Sequence, residues 1–282
     1  MNLRSLLFVP GDRPERMEKA LGLGADALIL DLEDSVALAT KMSARRTIAS
    51  FLGASHRTVK LLVRINPLDG ALVEDDLAAI VPAEPDAIVL PKAEGAESIE
   101  ALDRHLQRLG ADGIPILPIA TETPRAIFQL GSYATVSGRL CGLTWGAEDL
   151  PAAIGAVTSR EVDGSYTPPY ELARSLTLFA AHAASVPAVE TVYPNFRDID
   201  GLTAYATRAA RDGFTGMMAI HPSQVSVINR AFTPSEEAIA HAQAVIAAFE
   251  ANPDAGVLQL DGKMIDAPHL KQARSLIART GR

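Results

Sequence analysis

The chain has 282 residues, 48% of them hydrophobic and 21% charged, a globular composition sufficient for one large α/β domain or two ordinary ones. A formal net charge of −8 argues against a nucleic-acid surface, and the single cysteine, Cys141, excludes an internal disulfide and fits a reducing compartment. The apolar run near the N-terminus is too short and too quickly interrupted for a signal peptide or a membrane span, so a cytoplasmic protein is expected.

The chain then reads as alternating strands and helices. "SLLFV" (5–9) opens it, followed by a helix over 14–22 that starts at Pro14 and runs out into glycine. "ALILD" (27–31) precedes a helix over 35–52, and "VKLLVRI" (59–65) precedes one over 72–81. "AIVLP" (87–91), "IPILPIA" (114–120) and "LCGLTW" (140–145) follow, with helical spacing at 95–109 and 124–130. "AVETVY" (188–193) and "GMMAI" (216–220) complete the set, with helices over 169–185, 198–212 and 222–231. The strands are near-continuous apolar runs, as parallel strands buried on both faces must be. Eight such units in about 230 residues predict a (β/α)8 barrel with a C-terminal extension. An open doubly wound sheet shares the alternation, but no G-x-G-x-x-G follows the first strand. The boundaries are a barrel over 1–232 and an extension over 233–282 consisting of a helix, a short lid segment and a final helix. The loop "GAVTSREVDGSYTPP" (155–169) is long enough to carry function.

In such a barrel the active site lies at the carboxyl ends of the strands. There the chain places Gly11 and its neighbours; Asp31, Glu33 and Asp34; Arg64; Lys92; Glu122; Glu148 and Asp149; Tyr193; and His221. Glu122 and Asp149 leave neighbouring strands, so their carboxylates can converge. Two like charges held close need a proton or a cation between them, and two hard oxygen ligands suit Mg²⁺. The competing reading makes both acids helix caps. Arg64 ends an apolar strand and suits a bidentate grip on a carboxylate, or a structural ion pair with Glu33 or Asp34, which would orient it. Lys92 could neutralise an anion. Asp31 is expected to cap its strand, His221 to organise a loop, and Trp145 and Cys141 to fill barrel layers. The Arg45–Arg46 pair is a candidate for a phosphorylated small molecule. A barrel, a divalent cation on two acids and an arginine for an anionic substrate together suit enolate chemistry on a 2-oxo or 2-hydroxy acid.

"RSLLFVPGDRPERMEKA", "ALILDLEDSV", "VRINPLDG", "AIVLPKAEG", "IATETP", "LTWGAEDL" and "DGSYTPP" follow one another in the order found in citrate lyase β-subunit-like proteins. From Arg4 to the tail the chain resembles this family, which includes malyl-CoA and citramalyl-CoA lyases. The resemblance implies a TIM barrel, Mg²⁺ on Glu122 and Asp149, substrate binding by Arg64, and assembly as a homotrimer or dimer of trimers. It implies a carbon–carbon lyase acting on a CoA thioester to release a 2-oxo acid, with Gly11, Glu148 and Lys92 as further substrate contacts. Alternatives are a citrate lyase β subunit serving an acyl carrier protein, and a non-catalytic 2-oxo acid binder. "DGKMIDAPHLKQAR" matches the family's tail pattern and makes Asp266 the acid/base that reaches a neighbouring subunit; its alternative is a cap on the last helix. Many relatives have isoleucine where this chain has Thr121, a change expected to retune the pocket floor. Relatives often have lysine where this chain has Met217, a change expected to affect how the thioester carrier is held.

Overall fold

The computed structural model describes residues 3–54 and 59–280; residues 1, 2, 55–58, 281 and 282 lie outside the described residues. Eight parallel strands form one sheet: β1 (Ser5–Pro10), β2 (Ala27–Asp31), β3 (Lys60–Arg64), β4 (Ala87–Leu90), β5 (Ile116–Pro118), β6 (Leu143–Thr144), β7 (Ala188–Glu190) and β8 (Gly216–Ala219). Their order, β5-β4-β3-β2-β1-β8-β7-β6, has β5 and β6 at its two ends. Parallel bridges Ile116↔Leu140 and Ile119↔Thr144, with Ala120 N–H donating to the Thr144 carbonyl at 2.9 Å, join those ends and close the barrel. All eight predicted strands are present. β1 and β2 span their apolar runs in full, whereas β3 to β8 are shorter than theirs, because there only part of the run pairs before the chain turns out to a helix.

The surrounding helices are α1 (Pro14–Leu21), α2 (Lys41–Gly53), α3 (Val73–Ile80), α4 (Ala96–Arg108), α5 (Pro124–Gln129), α6 (Asp149–Ile154), α7 (Pro168–Ala183), α8 (Ile199–Asp212) and α9 (Pro222–Ala231). Proline opens α1, α5, α7 and α9, where its missing N–H would have no helical partner anyway. The short α6 begins at Asp149, where the helix-cap reading of that acid places a helix start.

Strand alternation divides the apolar side chains into two layers. Leu6, Ile29, Leu62, Val89, Leu117, Val189 and Met218 fill the barrel interior. Leu7, Leu28, Leu30, Val63, Ile88 and Trp145 pack outward against the helices. Each fully buried aliphatic side chain contributes about 1.5–3 kcal/mol. Trp145 therefore does not fill a barrel layer as expected; it projects outward from the end of β6, while Cys141 does pack against the inner layer. Met217 also faces outward and is fully buried, so no ligand inside the barrel mouth meets it; its neighbour Met218 holds that position.

Beyond α9, the tail forms α10 (Glu236–Glu250), an antiparallel hairpin of β9 (Val257–Leu260) and β10 (Lys263–Asp266), and α11 (Ala267–Ala278). The expected lid segment is thus a two-stranded hairpin, turned by Asp261 and Gly262, both at positive φ. The tail has its own small core of Ala242, Val245, Phe249, Ile265 and Ala273. No helix among the described residues is long and apolar enough to cross a membrane.

Candidate active site

At the carboxyl ends of the strands a cavity of about 360 Å³ opens. Its apolar lining comprises Phe8, Pro10, Ile119, Val192, Met218 and Ile220, interleaved with charged groups. The same cavity is lined by five carboxylates, those of Asp31, Asp34, Glu122, Glu148 and Asp149, and by the guanidinium of Arg64.

The β2–β3 corner is a closed ion network. Arg64 donates from Nε and Nη2 to the two carboxylate oxygens of Asp31, both at 2.7 Å, in the fork geometry that suits guanidinium and carboxylate. Its Nη1 meets Glu33 Oε2 at 2.8 Å and Asp34 Oδ2 at 3.4 Å, and the guanidinium lies over the Phe8 ring at 4.8 Å. Asp31 also accepts from the backbone N–H groups of Glu33 (2.9 Å) and Ser35 (3.0 Å), so it shapes its own turn. Asp31 is therefore the principal partner of Arg64, where a strand cap had been expected and the pairing sought at Glu33 or Asp34. Burial alone would push Asp31 up, but the Arg64 bonds and charge outweigh it and hold the acid below the usual carboxylate range. Burial pushes Glu33 up, and Arg64 and Lys92 only partly offset it. Gly11 packs against this corner: its N–H donates to the Asp31 carbonyl at 2.9 Å, and a Cβ would fall 2.4 Å from that oxygen. It does not line the cavity; it allows β1 and β2 to approach.

The frame beneath the corner was not read from the sequence. Lys41, from the first turn of α2, buries its ammonium against the carbonyls of Leu32 (2.7 Å) and Glu33 (2.9 Å). Asn66 Nδ2 donates to the Leu32 carbonyl and to Asp76, which also accepts from Arg45 Nε at 2.7 Å. Arg45 further meets Asp75 at 3.0 Å and is buried. It is thus committed to α3, and the expected phosphate site at Arg45–Arg46 is not formed. Residue type alone does not reveal these pairings: Lys41 reaches back 8 and 9 residues, whereas Arg45 to Asp76 and Asn66 to Leu32 join segments 31 and 34 residues apart.

The β5–β6 corner is left unbalanced. Glu122 is 4% exposed, and its Oε2 accepts a 2.5 Å hydrogen bond from the backbone N–H of Lys92. Lys92 adopts φ +50, a left-handed conformation that costs a β-carbon residue about 1 kcal/mol and aims that N–H at the acid. Its ammonium bridges Glu33 Oε1 at 3.0 Å and Asp149 Oδ1 at 3.3 Å. Burial disfavours the charged lysine, but the Glu33 bond and the surrounding acids raise it above its usual range. Glu122 is pushed up to about 8, first by burial and then by the charge of Asp149. The loop after β6 presses against it: a Cβ at Gly146 would sit 2.9 Å from Glu122 Cγ. Thr121 clasps the same loop, its hydroxyl donating to the Gly146 carbonyl (3.0 Å) and accepting from the Gly146 N–H (3.1 Å). Thr121 is therefore a clasp between the two strand exits, where a change in the pocket floor had been expected.

Neither acid caps a helix by its side chain; that task falls to Thr123 for α5, and α6 has no side-chain cap. Among the described residues no group of three or more His, Cys, Asp or Glu forms a ready-made metal cage. Two carboxylates in an acid-rich mouth, one buried with a raised pKa, fit a cation that keeps most of its coordination for water and ligand, as Mg²⁺ does. Glu148 is exposed at the rim, and Asp34 lines the mouth rather than lying behind Arg64 as Glu33 does.

Asp266 is outside this cavity. It caps α11, bonded to His269 Nδ1 at 2.5 Å, and that bond holds its carboxyl below the usual range. His221 caps α9 in a reciprocal box with Gln224 and stacks on Phe196 at 4.6 Å, which agrees with a loop-organising role.

Residues 4–222 match the profile of HpcH/HpaI aldolase/citrate lyase. The chain belongs to that family. It is 37% identical over 286 residues to a citrate lyase subunit beta-like protein of Mycobacterium tuberculosis, covering 100% of this chain and 98% of the relative. The citrate lyase subunit beta of Escherichia coli K12 is 34% identical over 289 residues, 98% of this chain and 92% of its own. Among solved structures, the Mycobacterium tuberculosis protein CitE in complex with magnesium, acetoacetate and coenzyme A superposes with a TM-score of 0.82 at 33% identity, covering 100% of this chain and 99% of that one. The family places this chain among carbon–carbon lyases built on the barrel described above.

Proposed function

We propose that this chain is a Mg²⁺-dependent lyase that cleaves, or forms by Claisen condensation, a 3-hydroxy-3-carboxyacyl thioester such as malyl-CoA or citramalyl-CoA. The observation that carries the reading is the mouth itself: Glu122 and Asp149 leave adjacent strands into one cavity that is also lined by an arginine already oriented by Asp31. Glu122 and Asp149 would hold the cation. When bound, it supplies Lewis-acid polarisation of the oxygens of a 2-hydroxy or 2-oxo acid. Arg64 grips the substrate carboxylate, and its three acidic neighbours keep it from following the ligand. Glu148 and Lys92 border the same end, and the apolar lining excludes water from the acyl arm. In cleavage the hydroxyl loses its proton, the carbinol carbon becomes the carbonyl of the 2-oxo acid, and the carbon–carbon pair passes to the thioester as an enolate. That enolate then takes a proton at carbon. Asp266 is the proposed donor, supplied by a second copy of the chain in a homotrimer, since it stands outside the cavity of its own chain; to carry the proton it must give up its bond to His269, which favours the ionised carboxylate.

A second reading, supported by the Escherichia coli citrate lyase relative, is action on a thioester held by an acyl carrier protein. Purified chain with Mg²⁺ and malyl-CoA or citramalyl-CoA decides between them. Release of glyoxylate or pyruvate, reduced at least about 100-fold in Glu122→Ala, is the expected outcome; even outer partners of a metal carry a loss of that size. Wild-type chain that releases neither product rejects the free-CoA reading.

A further inference from the structure

Glu190 is a fully buried carboxylate that the reaction above does not use. It ends β7 and points outward, away from the cavity, next to Thr191, which lines it. Four donors from different segments converge on it. Oε1 accepts from Trp145 Nε1 (2.5 Å), Tyr205 OH on α8 (2.8 Å) and Thr191 N–H (2.9 Å); Oε2 accepts from Arg174 Nε on α7 (2.7 Å). A charge so deeply buried needs such a set. Arg174 is in turn tied to Asp212 at 2.9 Å and lies over the Phe214 ring at 4.7 Å, so the acid stands on a rigid base.

The bond to Trp145 differs from the others in where it leads. Trp145 is the first residue beyond β6, and the turn it begins continues through Gly146 to Glu148 and Asp149. The inner side of that turn is clasped by Thr121. Its outer side is held by the Trp145 indole, which is fully buried, meets Tyr166 edge-on at 5.1 Å, and has Glu190 as its N–H acceptor. We infer that Glu190 is a positioning residue for the cation site, fixing the turn that carries Asp149 through its hydrogen bond to Trp145. The inference rests on the proposed cation site at Glu122 and Asp149. Glutamine at 190 has one acceptor oxygen, and with that oxygen drawn to the Arg174 guanidinium its NH2 faces the donors Trp145, Tyr205 and Thr191, so the Trp145 bond is lost.

The test is Mg²⁺ affinity of the full chain, measured by titration calorimetry without substrate at a temperature where every variant has the wild-type circular dichroism. Trp145 is the only tryptophan of the chain, so its fluorescence reports the site in the wild type. Glu190→Gln and Trp145→Phe should each weaken Mg²⁺ about 10–100-fold, the usual loss when an orienting partner of a metal-binding group is removed. The double variant should bind no worse than the weaker single one, because both remove the same bond. Tyr205→Phe removes another bond to the same oxygen and should lower Tm while leaving Mg²⁺ affinity within about twofold. Wild-type affinity in Glu190→Gln, additive losses in the double variant, or an equal loss in Tyr205→Phe overturns the inference. If Glu190→Gln does not fold, Trp145→Phe against Tyr205→Phe carries the same comparison. A wild-type chain that binds no Mg²⁺ fails the cation-site reading itself, and is told apart by that.

Discussion

The two acidic corners of the barrel mouth are built in opposite ways. At the β2–β3 exits Asp31 and Glu33 both close on Arg64 at 2.7–2.8 Å, and the turn is pinned from below by Lys41 and Asn66. At the β5–β6 exits the nearest side-chain counter-charge is the Lys92 ammonium, which meets Asp149 but not Glu122 and is divided between Asp149 and Glu33. Asp31, forked by Arg64, lies below its ordinary pKa, whereas burial raises Glu33, which Arg64 and Lys92 only partly offset, and raises Glu122, which has no side-chain cation on it, to about 8. The difference separates scaffold from site. A network complete in the free chain orients its members, whereas an incomplete one has binding energy in reserve for a cation.

Breaking the complete corner has the largest expected effect. Asp31→Ala strips Arg64 of both fork bonds and leaves a guanidinium in a nearly buried position, at a cost of about 3–5 kcal/mol. Urea unfolding measures it; a loss under 1 kcal/mol would mean that Glu33 and Asp34 suffice and that the corner is less integrated than its geometry shows.

The incomplete corner should reveal itself through pH. Glu122 titrates near 8 in the folded chain against an ordinary 4.5. Between those values the folded state keeps a proton that the unfolded chain has released. The stability linked to Glu122 is therefore full below about 4.5 and is lost as pH rises toward 8, with a slope of up to about 1.4 kcal/mol per unit. Saturating Mg²⁺ should flatten that slope, and its binding at pH 7 should release close to one proton, read as a buffer-dependent calorimetric heat. A metal-free chain with no such slope, or binding without proton release, contradicts a raised Glu122.

The smallest effect concerns the ammonium that links the corners. Lys92 is one-third exposed, so its repulsion of an arriving cation is screened to roughly 1 kcal/mol. Lys92→Met should bind Mg²⁺ about fivefold more tightly while losing stability, because Glu33 Oε1 loses its only partner among the described residues and Arg64 alone remains on the other oxygen. Weaker binding would instead make Lys92 a support for Asp149.

Much of this architecture is legible from sequence because it depends on local periodicity. Eight apolar runs spaced by helical stretches gave eight strands, and the strand exits delivered Arg64, Glu122 and Asp149 to one cavity. What escaped was direction and pairing. Asp31 and Arg64 are 33 residues apart, and Trp145 and Glu190 are 45 apart. Only the closed sheet brings each pair together. Trp145 was assigned to the barrel interior because hydrophobicity marks burial but not the face, and a single residue of offset reverses the face on a strand. Thr121 was likewise read as pocket lining, although its hydroxyl turns toward the neighbouring strand exit.

By itself the sequence determined the alternation of elements, the strand ends at which acids and arginine emerge, and the family pattern that runs the length of the chain. The tertiary structure decided which charges neutralise one another and which stay in excess, because that depends on distances of 3 Å set by barrel closure. It also placed Asp266 outside its own chain's cavity, a consequence of the tail folding on its own small core. Short-range propensity writes the elements. Only packing brings remote carboxylates close enough to share a proton, an arginine or a metal ion.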